Sequence, residues 1–87
     1  MIDTTVRSGV LAHLEAAGRA RARYEAATDT RSRQAAVLDE QAAGLAAAKL
    51  LSDDTGTQHA MLRTLYDMPG TSAEEKLAAL LGDAARP

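Results

Sequence analysis

The chain has no cysteine, tryptophan or phenylalanine among its 87 residues. Without cysteine there are no disulfides, no thiol chemistry and no cysteine-held zinc. That composition fits a reducing compartment, and a cytoplasmic location is expected. Proline is scarce as well, and the first of the two is Pro69. Nothing before it carries the ring that breaks a helix interior. Tyr24 and Tyr66 are the only aromatic residues, so a row of stacked bases has little to rest on. No basic segment followed by an apolar one opens the chain, so no signal peptide is expected. The longest run of apolar or glycine residues is Ala42–Ala48, too short to cross a membrane. An excess of one charge is also missing. The formal net charge is -2, which gives nucleic acid no bulk attraction.

What the chain has is alanine, twenty of it, and eleven leucines. Eight arginines against two lysines, with so much alanine, point to a GC-rich coding sequence, as in GC-rich bacteria and their phages. The larger apolar side chains number twenty, a thin core for a solitary domain. Oligomerisation or docking onto a larger assembly is the natural remedy.

Apolar spacing is helical throughout. A 4-3 heptad phase can be followed from Val10 to Lys49 through Leu14, Ala17, Arg21, Tyr24, Thr28, Arg31, Ala35, Leu38, Ala42 and Leu45. It is apolar at both ends and polar in the middle. Two readings follow: one long helix over 4–51, or a hairpin of helices over 4–27 and 31–51. Thr28-Asp29-Thr30 decides between them. These are poor helix formers and good caps, but no glycine or proline is present to turn the chain. Glu15 with Arg19, and Asp29 with Arg33, stand in the favourable acid-first i,i+4 order, and the second pair supports continuity. Base rates of helix length favour the hairpin. Gly9 and Gly18 would then mark close packing against a neighbouring element.

Punctuation after Leu51 is clearer. Ser52–Gly56 reads as a loop, and Thr55 with Gln58 as a capping box. A third helix is expected over 57–67, ended by a type II turn at Met68-Pro69-Gly70. Thr71 with Glu74, and Ser72 with Glu75, are overlapping capping boxes for a fourth helix over 73–81. Gly82 is placed as its C′ residue, and 83–87 as a frayed tail. No period-2 alternation occurs, so no sheet is expected. The fold expected is all-α and a single domain over 1–87: a helical hairpin or one long helix, then two short helices, as a small bundle or coiled-coil-like subunit.

Chemistry is thinly represented. Asp54-Thr55-Gly56 matches the D-T-G string of aspartic proteases, but that motif needs two copies on strand-held loops. Asp53–Thr57 resembles the D-K-T-G-T of P-type ATPases with Asp54 in place of the lysine. The plain reading is an acidic loop that caps a helix. His13 and His59 each lack a second ligand at i+3 or i+4. The four serines have no nucleophile-elbow context. No catalytic residue, cofactor, metal or small-molecule substrate is expected. The W-x-G turn of the small helical-hairpin secretion proteins is absent, and no set of residues reaches a named family.

The recognition candidates are two. Val10, Leu14, Leu38, Leu45, Leu62, Leu65, Leu77, Leu80 and Leu81 form stripes that need a partner, either within the chain or outside it. Arg19, Arg21, Arg23, Arg31 and Arg33 are candidate contacts to an anionic partner, with Glu25 and Asp29 interleaved for a local net charge of +3. The function expected is a non-enzymatic structural or assembly protein, a small helical subunit that self-associates or docks onto a larger complex, in the style of phage virion components and adaptors. The alternative is a nucleic-acid-associated regulator that uses the Arg19–Arg33 segment.

Overall fold

Asp3 sets the start of the first helix, because its carboxylate accepts the backbone N–H of Thr5 at 2.7 Å. The computed structural model describes residues 3–68 and 70–85. Helix α1 spans Thr4–Ala26 and α2 spans Thr30–Leu51. The two fold back on one another along their length, so the hairpin forms and the single long helix does not. The turn needs no glycine. Ala27 and Asp29 are both extended, with φ/ψ of -71/141 and -122/155, and the only residue with positive φ among those described is Gly70. Asp29 is used as a cap rather than as an in-helix partner of Arg33: it accepts the N–H of Ser32 at 2.9 Å. Arg33 reaches back instead, its Nε donating to the carbonyl of Ala27 at 3.2 Å.

Helix α3 spans Thr55–Tyr66 and starts two residues before the expected position. The cap is Asp54 and not Thr55, since a carboxylate can take two donors at once. It accepts both the N–H and the hydroxyl of Thr57, at 2.7 and 2.8 Å. Gln58 still reaches backwards, donating its amide to the carbonyl of Ser52 at 2.7 Å. Helix α4 spans Ala73–Ala85. Ser72 accepts the N–H of Glu75 at 3.2 Å, and Glu74 and Glu75 sit at the positive end of the helix. Thr71 donates instead to the carbonyl of Met68. The expected type II turn includes Pro69, which lies outside the described residues, as do Arg86 and Pro87 at the expected frayed end.

The fourth helix corrects an expectation. It does not stop at Leu81, and Gly82 lies in its interior. Asp83, expected in a frayed tail, is 93 % shielded at 7 % exposure and accepts the Thr64 hydroxyl of α3. Burial of this turn against α3 carries the helix past the glycine.

The core collects Val10 and Leu14 of α1, Ala47 and Ala48 of α2, Met61 of α3, and Leu77 and Leu80 of α4. Val6, Leu11, Leu51, Leu65, Ala73 and Leu81 pack around it. Gly44 lets α3 approach: a Cβ there would lie 3.3 Å from Leu62 and 3.4 Å from Leu65. Gly9 plays a like part against Leu50, at 3.1 Å. Gly18 does not, because no atom lies within 4 Å of the Cβ position; the close packing expected at that glycine is absent.

Candidate interaction surface

The long hairpin outgrows the short helices. At 1.5 Å per residue α1 and α2 are about 34 and 33 Å long, against about 18 and 20 Å for α3 and α4. Beyond Ala17 on α1 and before Gly44 on α2, only Ala20 and Ala36 are buried. Two helices facing only each other there bury small side chains and leave the larger ones at the surface.

Where the short helices end, a cleft of about 600 Å³ opens. The long hairpin lines it with Leu14, Ala17, Gly18 and Leu45, and the other side is Leu62, Leu65, Tyr66 and the connection through Met68 and Gly70. Its charged rim is Arg21, Glu25, Glu40 and Lys76. Arg21 stands 3.6 Å from each of Glu25 and Glu40 and 5.7 Å from the centre of the Tyr24 ring. Its Nε is buried without a hydrogen bond. A second, shallower depression lies at the tip, lined by Tyr24, Arg33, Val37 and Leu38.

The arginines expected to act together do not share one environment. Arg21 and Arg23 tie α1 to α2, Arg23 through Asp39 at 3.1 Å. Arg19, Arg31 and Arg33 are exposed. The five therefore divide into Arg21 and Arg23, which pair with acids of α2, Arg33, which bonds the turn at Ala27, and the exposed Arg19 and Arg31. Arg7 of α1 pairs with Glu74 of α4 across the base of the molecule.

The apolar candidates also divide. Val10, Leu14, Leu77 and Leu80 are used up in the chain's own core. Leu45, Leu62, Leu65 and Leu81 are half-buried, and Leu38 is 65 % exposed. Tyr66 is 73 % exposed beside the cleft.

The division follows from helical phase. On α1 the 4-3 phase is the packed one: Val10, Leu14 and Ala17 are buried. On α2 the same phase faces out, with Arg31, Ala35, Leu38, Ala42 and Lys49 exposed and Leu45 half-buried. A second 4-3 phase faces in, namely Val37, Glu40, Gly44, Ala47 and Leu51, with Gly44 and Ala47 buried and the others half-buried. At about 100° per residue the two phases lie nearly opposite on the helix. The extended residues of the turn reset the phase, so continuity in the sequence was not continuity in space. The inward phase is poor in leucine, and that is why only the outward one stood out in the sequence. Small residues at Gly44 and Ala47 were the available signal for it.

The capping carboxylates are the perturbed acids. Hydrogen bonds from the Thr57 hydroxyl and N–H hold the Asp54 carboxyl below the usual 3.8. Ser32 does the same to Asp29. Both perturbations belong to helix starts. Among the described residues no group of three His, Cys, Asp or Glu side chains could hold a metal ion. None of the described helices is long and apolar enough to cross a membrane. No protein-family model matches the chain, and neither a curated protein nor a solved structure is significantly similar to it.

Proposed function

We propose that the chain is a non-enzymatic assembly subunit, a small helical part that self-associates or docks onto a larger protein complex. The observation that carries this reading is the half-covered hairpin. Its distal part offers Leu38, Tyr24 and the mouth of an apolar cleft to solvent, while its own core is already complete. Contiguous exposed apolar surface marks interaction sites, and Leu38 and Tyr24 line one depression at the tip. Assembly components of phage particles and adaptors are built in this style, which is an analogy of architecture.

The second reading is a nucleic-acid-associated regulator. Three exposed arginines at the hairpin tip favour it, and the engagement of Arg21 and Arg23 with acids weighs against it. The two readings separate in one experiment. Cross-linked in its native cells, the chain should be recovered in a protein species larger than its 9.1 kDa monomer. That species should survive nuclease. Loss of the species on nuclease treatment would instead support the regulator. A free monomer under cross-linking would overturn both.

A further inference from the structure

We infer that the outward heptad of α2 is a self-complementary seam, on which a second copy of this chain packs antiparallel about a two-fold axis. The inference rests on the assembly reading and names one partner for it.

The seam reads Arg31, Ala35, Leu38, Ala42, Leu45, Lys49. Run against itself in the opposite direction, it brings Leu38 opposite Ala42 of the second copy, and Leu45 opposite Ala35. Every leucine meets an alanine, in both directions. Large against small across a helix pair is what lets side chains interlock at short interaxial distance. A parallel pairing would set leucine on leucine and alanine on alanine, with gaps between. A two-fold interface also requires that each contact recur with its partners exchanged, and this register does so along its whole length.

The charges agree with that direction. The hairpin tip from Arg19 to Arg33 carries a net +3, with Arg19, Arg31 and Arg33 exposed. At the other end of α2 the exposed Asp53 and Asp54 follow its last turn. In the antiparallel register Leu51, the last residue of α2, comes level with Asp29 at the cap of the second copy's α2, so the loop that follows lies beside the second copy's hairpin tip. The basic tip of each copy therefore meets the acidic loop of the other, twice per dimer. A parallel dimer would set tip against tip. One pairing is unfavourable, Lys49 with Arg31 of the second copy, but both are long side chains exposed in the single chain. Asp39 would approach its own symmetry mate, and each is already neutralised by Arg23 at 3.1 Å.

The absence of native cysteine makes the register directly testable. Sedimentation equilibrium at high micromolar concentration should give a dimer. Leu38→Glu and Ala42→Glu should each raise its dissociation constant at least about tenfold, by burying a charge. Both positions are exposed in the single chain, so helix content by circular dichroism should stay unchanged and report a folded variant. On oxidation, Gln41→Cys should cross-link to itself across the axis. Ala35→Cys and Leu45→Cys should each stay uncoupled alone and couple when mixed. Ready self-coupling of Ala35→Cys would overturn the antiparallel register. A dimer indifferent to both glutamate variants would overturn the seam while leaving the assembly reading in place. A wild-type monomer that is still recovered in a large protein species from its native cells would do the same, with the partner then a different protein.

Discussion

At the scale of single residues, two glycines in helix interiors have opposite roles. Gly44 is a contact point, where a side chain would press on Leu62 and Leu65. Gly18 has open space around it. Gly18→Ala should therefore stabilise the fold by about 1 kcal/mol, the ordinary helix preference for alanine. Gly44→Val should destabilise it by about 1–3 kcal/mol through overpacking. Urea unfolding of the two variants checks both signs. Asp29 and Asp54 supply a second residue-level expectation. A carboxyl held below its ordinary value contributes stability in full above that value, and loses it as the pH falls through the folded one. The wild type should melt above an Asp29→Ala/Asp54→Ala variant at neutral pH. That advantage should shrink as the pH drops below 3.8, the ordinary value for both groups. Thermal melts across the acid range test it.

At the scale of elements, boundaries were legible wherever a cap or breaker was local. Ser72 and the Ser52–Thr55 stretch announced their helices because a side-chain oxygen has only nearby N–H groups to serve. The end of α4 was not legible. Gly82 carried a local stop signal, and a contact from a distant element, Thr64 to Asp83, overrode it. A chain truncated after Leu81 should thus lose thermal stability, not merely a loose end. A melting temperature equal to that of the intact chain would show this last turn to be dispensable. The turn at 27–29 was half legible. Its poor helix formers could be seen, but reversal through extended residues needs no glycine and leaves no glycine to be found.

At the scale of the whole molecule, stability should be uneven along the hairpin. Its base packs on α3 and α4, while its tip has only small buried residues and a few ion pairs that water screens. Amide hydrogens of 19–24 and 34–40 should therefore exchange faster than those of 11–15 and 44–48, through partial openings of the tip. Hydrogen exchange read by mass spectrometry separates the two ends. Dimerisation on the α2 seam should slow exchange in 35–45 with rising protein concentration.

The proline-poor, alanine-rich sequence by itself determined the all-helical class, the sites of most helix starts and how few large apolar side chains there are to build a core. Those are matters of local sterics, capping and spacing. Only the tertiary structure decided which surface is left over. The two heptad phases of α2 are equally helical. The rotation imposed by the turn, with Gly44 admitting α3, selected the leucine-poor phase for the interior. On α2 the heptad leucines that called for a partner are left on the outward side, at Leu38 above all.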